Sequence, residues 1–392
     1  MNKKILVFDS HPVQYRAPVW RTIEQEVPGS IHVVYATDCS VKGHVDSGFG
    51  RSIAWDEPLL DGYAYSILNS ENGIPLEGWN TLTGKGVGNI MDKIKPNVIL
   101  LTGFNYRYDL VAYIQAKLRG IPVWVRCETQ DTAVERSWIK GLVRSMIYGS
   151  LYKGLNRIFY IGALNKNHYL KLGVSESILR PAYYATTDRF KSLTANIKKE
   201  LRDTERLKRD IDADKIVIGF SGKFISKKNP DIFYDMIPFI PEPIRSRLFF
   251  YYLGSGEMEQ ELKQKATQAF EQYGIRTYFA GFVNQTELAS PYLAMDIMIL
   301  PSRKMGETWG LVANEAMQAG CSVIVSNSVG SSANFNDWKQ FRVFNEGDAK
   351  NLAKHLIDLT VYPRSFDWAQ EGLKEYSIEK ISDAFIQEMK QG

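Results

Sequence analysis

The sequence predicts an α/β protein made of two Rossmann-like domains that face each other across a cleft. Three observations carry this. The chain has 392 residues, enough for two domains of ordinary size. Short apolar runs of strand length alternate with segments of helical period, as parallel strands buried on both faces require. The alternation stops at a charged stretch after Asp188 and then begins again. The expected division is 1–187 as a first domain, 188–213 as a charged connector, 214–372 as a second domain and 373–392 as a terminal helix.

In the first half the strands read as 4–8, 31–36, 98–102, 123–126 and 157–161, with amphipathic stretches at 107–118 and 140–151. Residues 45–68, rich in glycine and aromatics, read as loop and short strand. The run K-K-E-L-R-D-T-E-R-L-K-R-D within 189–210 reads as a solvated helix face between the domains. The second series has strands at 216–220, 248–253, 277–280, 297–300, 322–325 and 342–344. Its helices fill 230–237, 258–273, 311–319 and 349–359. Residues 378–390 form one more amphipathic helix, with Ser377 as N-cap.

Several function classes lose ground. The net charge of +4 comes from 48 basic and 44 acidic residues, so no strong field selects nucleic acid. Cys39, Cys127 and Cys321 are odd in number and far apart, which suits a reducing cytoplasm better than a disulfide framework or zinc site. No apolar segment has signal-peptide form or approaches the roughly 20 residues that span a bilayer. No G-x-G-x-x-G follows the first strand. No phosphate loop, H-E-x-x-H, paired C-x-x-C or G-x-S-x-G occurs, which disfavours hydride transfer, ATP hydrolysis and serine acyl transfer.

The richest segment is P-S-R-K-M-G-E-T-W-G-L-V-A-N-E-A-M-Q-A-G at 301–320, directly after an apolar strand. Gly310 opens a helix there, and the free N–H groups of Gly310, Leu311 and Val312 suit a phosphate. Glu307 in the loop and Glu315 in the helix can reach one polyol ligand from two sides. A second segment, G-F-S-G-K-F-I-S-K-K-N-P at 219–230, has Gly222 for a tight turn, with Lys223 and Lys228 placed to neutralise a diphosphate as point charges. In a third, L-G-S-G-E-M at 253–258, Gly254 and Gly256 serve either a small-residue turn or a ligand contact.

Together these segments resemble the nucleotide-sugar half of retaining GT-B glycosyltransferases, family four. That family carries a strand, P-S, then E-x-F-G-x-x-x-x-E-A-x-x-x-G, and earlier G-R-L-x-x-x-K-G. Here Glu307, Gly310, Glu315, Ala316 and Gly320 are in register, with Trp309 where Phe is usual, as are Gly222 and Lys228. A-G-F-V at 280–283 matches its F-x-G-x-V strand. The first half matches in outline, through H-P-V-Q-Y-R-A-P and W-D-E-P-L-L-D-G-Y.

The resemblance implies an N-terminal acceptor domain, a C-terminal donor domain and a terminal helix crossing back to the first. It implies a hexosyltransferase that takes a UDP- or GDP-sugar, with no metal or other cofactor, to a sugar hydroxyl of a glycan or lipid-linked acceptor in bacterial surface-polysaccharide assembly. Glu315 would bind ribose hydroxyls, Glu307 the donor sugar, and Lys223 and Lys228 the diphosphate. Gly222, Gly254, Val283, Met305, Gly306, Thr308, Trp309, Gly310, Leu311 and Val312 would complete the donor site. Lys223 replaces the family's arginine, and Arg126-Cys127-Glu128 stands where many members have a histidine. The acceptor side therefore rests on His11 and Glu128 as catalytic candidates, with Gln14, Tyr15, Arg126 and Asp131 around them. The stretch 140–157 mixes basic and apolar residues without an acid, a composition that suits the cytoplasmic face of a membrane. Two rivals remain: a nucleotide-sugar epimerase of the same fold, and an inactive sugar- or nucleotide-binding subunit.

Overall fold

The computed structural model describes residues 3–42, 44–46, 51–53, 58–69, 78–135 and 137–391. Trp55, Asp56 and Glu57 of the W-D-E-P-L-L-D-G-Y stretch lie outside them. The first sheet has seven parallel strands: β1 (Ile5–Asp9), β2 (Ile31–Thr37), β3 (Ala64–Asn69), β4 (Val98–Leu101), β5 (Val123–Val125), β6 (Arg157–Tyr160) and β7 (Leu179–Pro181). Their order is β3-β2-β1-β4-β5-β6-β7. The second has six: β8 (Ile216–Ser221), β9 (Leu248–Leu253), β10 (Arg276–Gly281), β11 (Ile297–Leu300), β12 (Ser322–Ser326) and β13 (Phe341–Phe344), ordered β10-β9-β8-β11-β12-β13. Both sheets thus carry the doubly wound order in which the chain reverses direction beside its first strand.

Alternation along each strand feeds two cores. Ile5 and Val7 point to one side of the first sheet, Leu6 and Phe8 to the other. Val217 faces one side of the second sheet, Ile218 and Phe220 the other. Such strands are apolar on both faces because helices cover both.

The helix Ile378–Gln391 does return to the first domain. Ile378, Ile381, Phe385, Ile386 and Met389 form one stripe and enter the core beside β1 and β6. The Phe385 ring lies 4.3 Å from that of Phe159. Buried Glu388 takes Arg157 Nε at 2.5 Å and also the Arg180 guanidinium. The backbone N–H of Lys380 donates to Ser377 Oγ at 3.2 Å, so the expected cap is in place.

The connector differs from the expectation. Ala195–Lys208 is a helix with the expected solvated face, but its other face is buried, at Lys198, Glu205 and Arg206. Arg202 and Arg206 both grip Asp296, at 2.5 and 2.6 Å, just before β11. Burial would raise the Asp296 carboxyl, but the arginines outweigh it and hold it below the usual range. Charge here docks the helix on the second domain. The expected helix at 230–237 is shorter, Ile232–Asp235, followed by a tight 3₁₀ turn at Ile237–Phe239, because Pro238 has no N–H to continue it.

Phe385→Ala should destabilise the first domain by about 3–5 kcal/mol, the cost of an aromatic-to-alanine cavity, read from urea unfolding.

Candidate functional site

In such sheets ligands sit beyond the carboxyl ends of the strands, where the strand order reverses. That point in the second sheet lies between β8 and β11. The turns after β8, β9 and β10 and the helix Leu311–Gln318 enclose a cavity of about 170 Å³. Gly222, Gly254, Val283, Leu311, Val312 and Glu315 line it. Gly310 caps the helix at φ 89°, a value glycine adopts freely, and a Cβ there would come within 2.5 Å of Leu300. Gly254 is needed for packing as well as for the cavity: a Cβ would lie 1.9 Å from Gly222 O. The Tyr292 hydroxyl donates to Glu315 Oε2 at 2.7 Å and fixes that carboxylate at the wall.

Glu307 stands at the next bend of the same loop. Its side chain is 12% exposed. Burial works against its charge, but Lys228 Nζ pairs with it, Lys227 adds a second positive charge, and Ser302 Oγ donates at 3.0 Å. Together they hold the carboxyl below the usual range. Lys227 Nζ also donates to Gly306 O at 3.1 Å. Lys227 carries no sequence signal of its own, because three lysines in one loop do not reveal which one turns inward.

The first domain contributes directly. Its segment after β5 runs along the donor loop: Gly306 N donates to Ala133 O at 2.7 Å, Val134 pairs with Met305 across the cleft, and Gln130 Nε2 reaches Glu307 O at 3.4 Å. Here a second cavity of about 370 Å³ is lined by His11, Arg16, Asp109, Glu128, Gly306 and Thr308 among others. Glu128 accepts from the Tyr184 hydroxyl, lies 3.7 Å from Arg16 Nη1 and takes Thr308 Oγ1 at 3.5 Å. His11 Nδ1 is 3.0 Å from Ser10 Oγ. Arg16 is itself held by Asp9 at 3.0 Å.

Several expected site residues sit elsewhere. Trp309 is 2% exposed: its ring packs with Tyr184, Phe335 and Tyr376, and Nε1 donates to Asn314. It wedges the two domains together and turns away from the first cavity. Met305 points outward, 55% exposed, with no wall of either cavity built on it. Arg126 is buried beneath the cleft, donating from Nε and Nη2 to Ala182 O and lying over the Tyr184 ring. Asp131 leaves the cleft and binds His168 Nδ1 at 2.7 Å. Gln14 is on the first cavity, not the second. It lines the first cavity, and its Oε1 is buried without a hydrogen-bond partner. Tyr15 lines both cavities, and burial pushes its hydroxyl up to about 12. Lys223 and Lys228 stand at the turn after β8 but outside the walls of the first cavity. Thr186, Thr187, Arg189 and Gln285 line that cavity unforeseen; Arg189 Nη2 donates to Gln285 Oε1 at 2.6 Å. Their sequence neighbourhoods carry no motif. Among the described residues, no group of three or more His, Cys, Asp or Glu is gathered as a metal site would need.

Residues 202–364, which contain the loop 301–310 and both glutamates, match the family of glycosyl transferases group 1. An uncharacterized glycosyltransferase of Methanocaldococcus jannaschii is 32% identical over 177 residues, 42% of this chain and 39% of that protein, so the match spans well under half of the relative. The crystal structure of Anabaena HepE in complex with UDP superimposes with a TM-score of 0.72 at 14% identity, over 99% of this chain and 100% of that one. Sucrose-phosphate synthase from Thermosynechococcus elongatus gives 0.67 at 17% identity, over 99% and 98%. At these identities the structural likeness is one of fold, and the fold is GT-B.

Two outcomes follow from the charges. Lys228→Met leaves buried Glu307 with Lys227 alone and should cost about 3 kcal/mol, the low end for a broken buried pair. Glu307, depressed in the folded state, contributes stability above its unfolded pKa that is lost as pH falls through the folded value; acid titration of the variant by circular dichroism should show a smaller loss. Asp109 has the opposite sign. Burial pushes its carboxyl up to about 7, although two backbone N–H groups donate to it. Its contribution is full below its ordinary unfolded pKa of about 4 and is lost as pH rises through about 7, so Asp109→Asn should flatten the stability profile between about pH 4 and about pH 7.

Proposed function

We propose that this chain is a retaining, metal-independent hexosyltransferase of family four, moving a hexosyl unit from a UDP- or GDP-sugar to a sugar hydroxyl. The observation that supports this most is the pairing of Glu315 with an open helix start inside one cavity, beside a lysine-held Glu307. A nucleoside diphosphate offers ribose hydroxyls for Glu315 and phosphate oxygens for the N–H groups of Leu311 and Val312. The solved complex of HepE with UDP lends the base identity some weight. Buried Gln14 Oε1 has an acceptor to offer to a donor hydroxyl or ring N–H.

On this reading Lys228 has two partners in turn. Before the donor arrives it neutralises Glu307. A diphosphate then competes for it, together with Lys223, and frees the Glu307 carboxylate to take hydroxyls of the transferred sugar. Fixed positive charge and helix N–H groups stabilise the departing diphosphate, the main term in such a site. The acceptor hydroxyl attacks from the cavity that holds His11 and Glu128, on the same face as the leaving group, and the departing phosphate oxygen takes its proton. Lipid-linked or polysaccharide acceptors in bacterial surface-glycan synthesis, at the cytoplasmic side, complete the reading.

Thermal shift with UDP, GDP, ADP, CMP and NAD, with EDTA present, tests it. UDP or GDP should raise the melting temperature, and a sugar-donor turnover assay should show Glu307→Gln slowed at least about 100-fold with nucleotide binding kept. No shift from any nucleotide overturns the donor site. A shift without turnover from any donor leaves the inactive binding subunit.

A further inference from the structure

A third cavity, of about 340 Å³, opens at the amino ends of the strands of the second sheet, opposite the first cavity. Ile216, Ile297 and Ser322, the first residues of β8, β11 and β12, line it. Its charges are unbalanced: Arg202, Arg206, Lys215, Arg247 and Arg364 stand against Asp214 and Asp296. Two of the arginines serve the fold. Arg202 Nη1 donates to the carbonyls of Leu293, Ala294 and Met295, closing the end of the helix Ala289–Ala294. Arg206 donates from Nε to Ala294 O at 3.0 Å and from Nη1 to Lys215 O at 3.3 Å. Between them they take both oxygens of Asp296. Arg364 is less well served. Its Nη2 donates to Ala319 O at 2.8 Å, but its Nε and Nη1 are buried without a hydrogen-bond partner among the described residues. The Cys321 thiol beside it brings no counter-charge: burial pushes that thiol up, and it already donates to Tyr292 O at 3.2 Å. Burial also works against the charge of Arg364 itself, and Arg202 adds repulsion. A buried cation left in that state is costly until an anion joins it.

We propose that this cavity binds a phosphate dianion, free or carried by a small metabolite, at a site separate from the first cavity. The proposal does not rest on the glycosyltransferase reading. Charge sets the ligand class. Five cations facing two carboxylates, one of them already gripped by two guanidiniums, leave a surplus that a monoanion does not cancel. Guanidinium forks also match the oxygens of a phosphate. Arg247, which is exposed, and Lys215, which is half-buried, stand at the mouth. Arg247 Nε donates to Asp214 O at 3.0 Å and Lys215 Nζ to Ser246 O at 3.0 Å, and each side chain carries further N–H groups to offer an entering anion. The volume leaves room beside a phosphate for a small hydroxylated body, against Ser322, Gln340 and Thr360. The two ends of the domain are joined by rigid elements. Arg364 holds the last turn of the helix Leu311–Gln318, whose first turn opens on the first cavity, and β11 starts at one cavity and leads into the loop of Glu307.

Titration calorimetry of the full chain tests it, in chloride buffer of fixed ionic strength, with inorganic phosphate and glycerol phosphate as dianions and acetate as a monoanion. Phosphate should bind and raise the melting temperature, and acetate should do neither. Tighter binding of glycerol phosphate than of inorganic phosphate assigns the site to a metabolite, and equal binding assigns it to free phosphate. Lys215→Ser with Arg247→Ser alters only the mouth, and should weaken phosphate binding at least about tenfold with the circular dichroism spectrum unchanged. Arg364→Gln should abolish binding; should that variant unfold, the mouth variant still decides. Lys228→Met should retain this binding, because its lysine serves the other end of the sheet. Three results would each overturn the proposal: no phosphate binding, acetate binding as tight as phosphate, or binding that survives the mouth variant and is lost in Lys228→Met. The last would place the anion at the turn after β8. Phosphate binding by a chain that shows no nucleotide shift would instead sink the glycosyltransferase reading and leave this site standing.

Discussion

The site depends on keeping a carboxylate charged where water hardly reaches it. Glu307 is nearly enclosed, and an isolated ion there would neutralise itself rather than stay ionised. Lys228, Lys227 and Ser302 prevent that. The same requirement fixes the loop around them. Lys227 also holds Gly306 O, and Arg303 N donates to Lys227 O, so the turn after β8 and the loop after β11 are stitched together through one charge cluster. A cationic turn that already serves a carboxylate is ready-made for a second anion. Structure and electrostatics are therefore one arrangement, and no residue in it is idle before substrate arrives.

The two domains share this loop. The segment after β5 lies along one side of it, while Trp309 anchors the other in an aromatic cage drawn from both domains. Gly162 of the first domain has no room for a Cβ because the Trp309 ring stands 2.3 Å from where it would be. The cleft is closed by contacts that involve the loop of Glu307 itself. Any change in the angle between domains must therefore move Glu307 relative to His11 and Glu128.

The geometry of 301–320 was legible in the sequence because it is local. Glu307, Gly310 and Glu315 lie within nine residues on a strand, loop and helix, and the order of those elements sets their geometry. What escaped was set by contacts across the chain. Trp309 occupies an aromatic position in the motif, but only the partners Tyr184 and Tyr376, far away in sequence, make it an interdomain wedge. Asp131 is one residue beyond Gln130, which faces the cleft, and the turn between them sends its carboxylate to His168. The connector misled for a related reason. Its charges look solvated in one dimension, yet Arg202 and Arg206 find a single aspartate across 90 residues or more. The strand Ala64–Asn69 is half-exposed and mixed in polarity, and Leu179–Pro181 is three residues long, so neither shows the apolar run that betrays a central strand.

The returning helix has a consequence for synthesis. Phe385 and Glu388 complete a core whose other members, Trp20, Phe159, Arg157 and Arg180, precede them by more than 200 residues, with the whole second domain between. The first domain to leave the ribosome is thus the one that cannot finish. Its apolar groove beside β1 and β6, and the unpaired guanidinium groups of Arg157 and Arg180, wait while the second sheet is made and folds on its own more local contacts. Domain order along the chain and order of completion are reversed, and the nascent chain spends that interval with an open groove that chaperones, or another nascent chain's helix, can occupy.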